Sequence, residues 1–330
     1  MKIWMPTIRT GTGSDVFVER LSHDLSARSH DVITTWYPHA FEIFPYPLKG
    51  IRPPASTDII HANSWSAFAF SRARIPLVVT MHHLVHDPAY THYRSLAQAA
   101  YHKILIYNYE RLGIRAASKV VAVSEYTANV TAALFRNADI VSIPNGIDTN
   151  LFCPSTQEGS TSGKFRLLFV GTSTYRKGFD LLIEIMDKLG SDYWLSYTAN
   201  TKPGPGVISN STCLGRLSSI ELVKAYQNCD AFIFPSRYEG FGYAVAEAMA
   251  CGKPVVVSDT SALPELVNHE RNGILCPVGD VDCFVGAIRQ LGGDRSYGDS
   301  LGLEARRTIV GEYNKERMID SYEKLYESLA

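Results

Sequence analysis

Two glutamates, Glu239 and Glu247, stand in the segment of this sequence that is richest in chemically useful residues. A short apolar run ends at Pro235, a loop bracketed by glycines follows, and a predicted helix begins near Gly242. Glu239 lies on that loop and Glu247 about one turn inside the helix, near the free amides and positive dipole of the helix start. Carboxylates accept hydrogen bonds from sugar hydroxyls, so this pair is suited to holding two sugar rings. The alternative is an ordinary helix-end or surface charge.

A second motif joins a glycine turn to two adjacent cations. Residues 171–178 read Gly-Thr-Ser-Thr-Tyr-Arg-Lys-Gly and connect a predicted strand to a predicted helix that begins at Phe179. Arg176 and Lys177 would lie beside the positive end of the helix dipole, which is unfavourable unless an anion binds there. The motif therefore favours an anion site, and a solvated surface pair is the alternative.

The N-terminal half offers two weaker candidates. Residues 11–15 read Gly-Thr-Gly-Ser-Asp and join a strand to a helix, so a phosphate or an acceptor could approach the backbone closely at Gly13. His82 ends a predicted strand and is followed by His83, which makes either ring a candidate. A lone histidine is more often a structural hydrogen-bonding group, and that interpretation remains open.

Short apolar runs alternate with amphipathic stretches along the chain, which is typical of parallel sheets built from βαβ units. We therefore predict an α/β protein with two facing, doubly wound, Rossmann-like domains and a ligand cleft between them. The N-terminal domain covers 1–150 and the C-terminal domain covers 151–310. A polar stretch at 155–163 predicts the linker. The predicted helix within 311–330 packs on its own domain or returns to the first.

The predicted elements follow the same rhythm in both halves. Strands are predicted at 2–6, 32–36, 58–62, 77–80, 119–123, 139–143, 166–170, 193–197, 231–235 and 254–258. The helices that carry the motifs are predicted at 15–28, 179–189 and 242–250. Each motif therefore lies where a strand gives way to a helix, which is the ligand-binding edge of a parallel sheet.

The segment 234–256 resembles the signature of the retaining glycosyltransferases of family four, which have the GT-B fold. It contains Pro-Ser, then Glu-Gly-Phe-Gly, then Glu-Ala-Met-Ala-x-Gly-x-Pro-Val-Val, with seven residues between the two glutamates. The resemblance implies that Glu239 holds hydroxyls of a donor sugar and that Glu247 holds the ribose of a nucleotide. It further implies a sugar pocket completed by the amides of Gly240, Phe241 and Gly242.

The same resemblance extends over nearly the whole chain and implies that 1–150 is the acceptor-side domain and 151–310 the donor domain. It implies that Arg176 and Lys177 bind the donor diphosphate next to Gly171, although many members carry the arginine directly after that glycine. The glycine-rich loop at Gly13 is similar to a family loop that often has two consecutive glycines. His82 matches a Thr-x-His motif whose histidine is implied to touch the donor sugar.

Recognition of the nucleotide base is implied near Leu214 and Arg216. Residues 197–200 depart from the family, which usually has a glycine-containing turn after that strand, so the base contacts stay open. The implied reaction moves a sugar from a nucleotide-diphosphate sugar to a glycan or lipid-linked acceptor, with retention of configuration, in surface polysaccharide synthesis. A binding protein without transfer activity and a nucleotide-sugar epimerase of the same architecture are the alternatives.

No cofactor or metal is predicted. Asp280 and Asp282 have a spacing that can hold a divalent cation, but they begin a predicted helix, where N-capping accounts for them. With Arg176 and Lys177 available to neutralise a leaving diphosphate, a metal is not required for charge stabilisation. The six cysteines form no CxxC pair and have no histidines at metal-ligand spacing, so we expect reduced thiols.

The charge distribution and the absence of long apolar runs bear on partners. The formal net charge is −1, and no like-charge run exceeds Arg306-Arg307, so no nucleic-acid partner is expected. No signal peptide and no membrane span is recognisable, which predicts a cytoplasmic protein. The stretch 94–119 mixes basic and apolar residues and either lies peripherally on a membrane that holds the acceptor or is a long packing helix.

Overall fold

The computed structural model describes residues 1–72, 74–136, 138–155, 163–199 and 208–330. The chain divides into two compact units, Met1–Gly146 together with Glu316–Ala330, and Ile147–Lys315. The first unit therefore ends slightly before the predicted boundary at 150. Residues 156–162, which belong to the predicted linker, lie outside the described residues.

Helices and strands alternate along most of the described chain. The strands are β1 (Lys2–Ile8), β2 (Asp31–Tyr37), β3 (Ile59–Asn63), β4 (Leu77–Met81), β5 (Lys119–Ala122), β6 (Ile140–Ser142), β7 (Phe165–Phe169), β8 (Tyr193–Thr198), β9 (Ser211–Gly215), β10 (Ala231–Phe234), β11 (Val255–Ser258) and β12 (Ile274–Cys276). The α-helices are α1 (Gly13–Ala27), α2 (Ala67–Phe70), α3 (Pro88–Thr91), α4 (Leu96–Tyr101), α5 (Tyr107–Ala116), α6 (Glu125–Leu134), α7 (Phe179–Leu189), α8 (Ser219–Asn228), α9 (Tyr243–Ala250), α10 (Leu263–Leu266), α11 (Val281–Gly293), α12 (Arg295–Glu312) and α13 (Lys315–Glu327). Short 3-10 helices cover His39–Glu42 and Tyr46–Gly50, and a π-helical turn at His102–Ile106 joins α4 to α5.

The first unit is built on a parallel sheet of six strands in the order β2-β1-β3-β4-β5-β6. Its four inner strands, β1, β3, β4 and β5, are mostly buried on both faces because each face is covered, as expected for a parallel sheet. Strand β1 illustrates this, since Ile3 and Met5 belong to one buried cluster while Trp4 and Ile8 belong to the other. Helices α2 and α5 contribute to the cluster that contains Trp4.

The C-terminal helix α13 packs on the first unit and covers the opposite face with α1. Its Tyr322 and Tyr326 are fully buried in the cluster that contains Phe17 of α1. The Tyr326 hydroxyl lies 2.6 Å from Nδ1 of His61, whose Nε2 lies 2.6 Å from the Thr80 hydroxyl. The apolar stripe that predicted this helix is therefore its docking face.

The second unit is also a six-stranded parallel sheet, in the order β12-β11-β10-β7-β8-β9. Strand β10 lies at the centre beside β7, so the loops that follow these two strands emerge next to each other. Those loops contain the two motifs found in the sequence. The two units thus have the matching architecture of paired α/β domains that the sequence predicts.

Candidate active site

Arg176, Lys177 and Glu239 form one cluster in the second unit. The Lys177 ammonium donates a 2.6 Å hydrogen bond to Oε1 of Glu239, and Arg176 Nη1 lies 3.9 Å from the same oxygen. Arg176 also donates to the Tyr238 carbonyl at 2.9 Å, and the Ser236 hydroxyl donates to Glu239 Oε1 at 2.6 Å. Residues separated by about sixty positions are therefore brought into direct contact.

A glycine permits the close approach of the two loops that carry this cluster. Gly178 caps α7 with a left-handed backbone, at φ 71°. A Cβ atom at this position would stand 2.0 Å from the Pro235 carbonyl oxygen, well inside van der Waals contact. Only glycine satisfies both the backbone angle and the available space.

An arginine that the sequence analysis left without a role holds the same loops together. The guanidinium of Arg237 donates two 2.7 Å hydrogen bonds to the carboxylate of Asp180 in the first turn of α7. It also donates to the Tyr175 carbonyl and stacks 3.9 Å from the centre of the Tyr175 ring. The Arg237 amide donates to the Arg176 carbonyl at 2.8 Å, so both backbone and side chain fix the loop that carries the cations.

The electrostatics of the cluster favour an additional anion. Burial opposes the ionisation of Glu239, but the Lys177 and Arg176 charges outweigh it and hold the pKa of this carboxyl below its ordinary value. Burial lowers the pKa of Lys177, an effect that Glu239 partly offsets and Arg176 reinforces. Two cations therefore share one carboxylate, and an incoming anion would relieve the excess positive charge.

The glycine loop after Glu239 leads directly into α9. Gly242 has φ 101° and caps α9, so the amides of Gly240, Phe241 and Gly242 precede the first helical turn. Glu247 lies inside α9, is only 4 % exposed, and accepts a 3.1 Å hydrogen bond from the Tyr226 hydroxyl. The ribose contact implied for Glu247 stays a prediction, because its carboxylate already has a partner within the unit.

The remaining donor-side candidates lie on neighbouring strands. The amide of Gly171 follows β7 and donates to the Thr198 hydroxyl at 2.9 Å. Leu214, on β9, helps to line a cavity of about 390 Å³ between the sheet and α8, whereas Arg216 follows β9 and is not among its lining residues. Asn200, at the end of the departure from the family, lies outside the described residues.

In the first unit, a carboxylate of the protein itself already accepts hydrogen bonds from the amides of the glycine-rich loop. Gly13 is the first residue of α1. The carboxylate of Asp15 accepts hydrogen bonds from the amides of Thr10, at 3.0 and 3.1 Å, and of Gly11, at 2.7 Å. These amides are thus occupied by a side chain of the same loop, and a ligand contact at Gly13 stays a prediction.

His82 follows β4 and is held inside the first unit. Its Nε2 lies 3.0 Å from the Asn63 side-chain oxygen, and its ring meets Phe17 edge to face with centroids 4.9 Å apart. Burial, with smaller effects of His83 and His61, lowers the pKa of His82 to about 3. His82 is therefore a neutral hydrogen-bonding group at ordinary pH and supplies no charge for a phosphate.

The two aspartates with metal-ligand spacing, Asp280 and Asp282, have other partners in the structure. No group of three His, Cys, Asp or Glu side chains in the described ranges is arranged to hold a metal ion. Asp280 caps α11 by accepting from the Cys283 amide at 2.9 Å, the role predicted for it, and Asp282 pairs with Lys188 at 2.6 Å. These two aspartates are therefore engaged in helix capping and surface pairing.

Comparison with known proteins identifies the family. Residues 44–151 match the model described as Glycosyltransferase Family 4, and residues 164–294 match the model described as Glycosyl transferases group 1. An uncharacterized glycosyltransferase of Methanocaldococcus jannaschii is 26 % identical over 329 residues, which cover 90 % of this chain and 82 % of that protein.

Solved structures agree on the fold. Sucrose-phosphate synthase from Thermosynechococcus elongatus superposes with a TM-score of 0.85 at 19 % identity, covering 99 % of this chain and 98 % of that one. Anabaena HepE, solved in complex with UDP and glucose, gives a TM-score of 0.82 at 19 % identity, and each chain is fully covered. With two parallel six-stranded α/β units and both family models matched, the chain belongs to glycosyltransferase family 4 and has the GT-B fold.

Proposed function

We propose that this glycosyltransferase transfers a sugar from a nucleotide-diphosphate sugar to a glycan or lipid-linked acceptor, with retention of configuration and without a metal ion. The observation that carries the proposal is the cluster in which Arg176 and Lys177 face the single carboxylate of Glu239. Its excess positive charge suits a diphosphate, and its carboxylate suits sugar hydroxyls. Surface polysaccharide synthesis is the proposed setting.

The proposed chemistry assigns complementary tasks to the three residues. As the bond to the diphosphate breaks, negative charge grows on the leaving group, and the two cations stabilise it in a largely desolvated site. Glu239 positions the sugar through hydrogen bonds to its hydroxyls. Because Ser236 also donates to Glu239, its carboxylate keeps a hydrogen-bond donor when Lys177 turns toward the diphosphate.

The donor class is supported by a related fold and by the charge pattern. HepE was solved in complex with UDP and glucose, which are the two parts of a nucleotide-sugar donor. In this chain, the cations lie at the start of α7, where the helix dipole adds to their attraction for phosphate. We extend the proposal to a membrane-borne acceptor and to peripheral contact of the enzyme with that membrane.

A ligand screen tests the diphosphate site. UDP-, GDP-, ADP- and TDP-sugars are added to the protein with and without EDTA, and the melting temperature is followed, because a ligand that binds only the folded state raises it. We expect one nucleotide class to stabilise the protein irrespective of EDTA. Lys177→Ala should weaken its binding about 100-fold, the loss of one strong charge-assisted contact.

Lys188→Ala is the matched control, since Lys188 lies near the end of α7, the helix that follows Lys177, in an exposed pair with Asp282. It should bind the donor like the parent protein. Binding by Lys177→Ala within a few-fold of the parent would contradict the diphosphate assignment. Retention is tested by letting the enzyme hydrolyse the donor without acceptor and identifying the first-formed sugar anomer by NMR. Conversion of the donor to another nucleotide-sugar would indicate an epimerase instead.

A further inference from the structure

Two neighbouring segments of the first unit expose large apolar side chains to solvent. The exposed fraction is 63 % for Ile43, 58 % for Phe44 and 63 % for Ile104. Tyr46, Ile51 and Leu96 are also exposed, the last by 92 %. Single exposed apolar residues are common, but a group on adjacent segments marks an interaction surface.

Hydrogen bonds tie the two segments side by side. The Tyr101 hydroxyl of α4 donates to the Glu42 carbonyl at 3.0 Å, and the Tyr109 hydroxyl of α5 donates to the Ile43 carbonyl at 3.1 Å. The ring of Tyr46 lies 5.8 Å from that of Tyr109. Ile43, Phe44 and Tyr46 therefore lie beside the helical segment that exposes Leu96 and Ile104, and the hydroxyls of Tyr101 and Tyr109 hold them there.

The exposed charges among these apolar residues are basic. Residues 39–57 and 94–115 contain six Lys or Arg and two Glu. Lys49, Arg52 and Lys103 are exposed, whereas Glu110 is fully buried and accepts from the Trp65 ring nitrogen at 3.1 Å. Burial raises the pKa of Glu110 to about 8, so this carboxyl is mostly uncharged at neutral pH. We call Ile43, Phe44, Tyr46, Ile51, Leu96 and Ile104, with Lys49, Arg52 and Lys103, the apolar-basic surface.

We propose that the apolar-basic surface docks on the face of a bilayer that contains anionic lipid. Apolar side chains enter the boundary between headgroups and acyl chains, while lysines and arginines meet the anionic headgroups. A second copy of the chain fits less well, because a two-fold interface would set these basic residues against themselves. Protein interfaces are also depleted in lysine at their centre. No helix within the described ranges is long and apolar enough to cross a membrane.

The inference deepens the proposed function by naming the surface that meets the membrane, and it rests on that function only for the acceptor. Vesicle flotation measures membrane binding in the absence of donor and acceptor. The full chain is mixed with vesicles of phosphatidylcholine alone or with phosphatidylglycerol, at low and high salt. We expect binding to the anionic vesicles only, with a marked loss at high salt.

Two paired variants and a control locate the contact. Phe44→Ser with Ile104→Ser should reduce the vesicle partition coefficient about ten-fold by removing two inserting side chains. Lys49→Glu with Lys103→Glu should abolish the preference for anionic lipid. Ile220→Ser removes an isoleucine that is 66 % exposed in the second unit and should float like the parent protein.

The outcomes separate this inference from the proposed function. Failure of the parent protein to float with anionic vesicles, or equal flotation of all variants, would overturn the docking surface. A concentration-dependent dimer in light scattering that Phe44→Ser with Ile104→Ser abolishes would assign the surface to a second copy instead. The melting-temperature increase with donor should persist in these variants, and its absence in the parent protein would count against the donor site alone.

Discussion

The first strand of each unit is followed by a loop that leads into a helix, and the two loops differ in how much negative charge the protein itself places beside them. In the β1 loop (residues 9–12), the amides of Thr10 and Gly11 point at the carboxylate of Asp15. In the β7 loop (residues 170–178), Arg176 and Lys177 face the carboxylate of Glu239, which lies in the loop after β10. The β1 loop has its anion built in, whereas the β7 loop retains excess positive charge.

This difference indicates which loop has capacity for an anionic ligand. A glycine-rich turn at a helix start is a common anion site, yet its amides serve that purpose only if no side chain of the protein occupies them. Asp15 occupies those of Thr10 and Gly11, whereas among the described residues Arg176 and Lys177 form their ion pairs with Glu239 alone. The charge balance around a loop is therefore more informative than its glycine content.

The largest expected effect comes from adding a single methyl group to one glycine in each loop. Gly178→Ala and Gly11→Ala both place a side chain at almost the same backbone angle, φ 71° and φ 73°. At Gly178 the new Cβ would collide with the Pro235 carbonyl, while nothing lies within 4 Å at Gly11. We expect Gly178→Ala to lower the free energy of unfolding by more than about 3 kcal/mol, and Gly11→Ala by about 1 kcal/mol from backbone strain alone.

Urea unfolding followed by circular dichroism measures both values. Because the backbone strain is common to the two variants, their difference reports the close approach between the β7 loop and the end of β10. Equal destabilisation of the two proteins would contradict the tight packing of these loops. It would also remove the reason for the observed position of Arg176 and Lys177.

A smaller effect is expected at Arg237, which together with Asp180 and Tyr175 forms a clamp that fixes the β7 loop. Arg237→Lys keeps the positive charge but cannot make the paired hydrogen bonds to Asp180 or the same stacking on Tyr175. If the clamp positions the cations, kcat/KM for transfer or donor hydrolysis should fall about ten-fold, with a smaller change in KM than in kcat. Arg289→Lys, on the exposed surface of α11, is the control and should retain full turnover.

Steady-state kinetics combined with a melting curve separates positioning from stability. A variant that loses melting temperature but keeps kcat would show that Arg237 is only structural. Asp180→Asn should reproduce the kinetic effect of Arg237→Lys, because it weakens the same pair from the other side. Different kinetic behaviour of these two variants would argue against a shared clamp.

The sequence was sufficient for the alternation of strands and helices and for most of the chemical groups. Apolar runs buried on both faces, such as β10 and β11, are recognisable without a structure because both faces demand apolar residues. The motif around Glu239 and the pair Arg176-Lys177 were found because each is a short run of residues that is contiguous in the sequence. Their direct contact required the pairing of β7 with β10, which local patterns do not specify.

Three features depended on contacts between distant positions. Arg237 and Asp180 stand 57 residues apart, so neither residue alone signals the clamp. The apolar stripe of α13 indicated a buried face but not that its partner would be α1 of the first unit. The exposed residues Ile43 and Phe44 follow a predicted strand and gave no sign that they would lie beside Ile104, since exposure is a property of the folded chain.

The smallest effect concerns acid stability at Glu239. Its pKa is lowered in the folded protein, so the ionised carboxyl stabilises the fold above its unfolded pKa of about 4.3 and loses this contribution as pH falls through the folded value. Glu239→Gln should lower the free energy of unfolding by about 1 kcal/mol at neutral pH, and the difference from the parent should shrink below about pH 4.3.

Histidines of the first unit impose a separate pH dependence that is common to both proteins. Burial lowers the pKa of His61 and of His82 to about 3, so between about pH 6.5 and that value the unfolded chain binds protons that the folded chain excludes. Stability therefore falls as the pH falls through this range, equally in parent and Glu239→Gln. Their difference in melting temperature, measured at each pH, therefore reports the contribution of the Glu239 ion pair in the second unit. A difference that stayed constant on acidification would show that the ion pair adds nothing to stability.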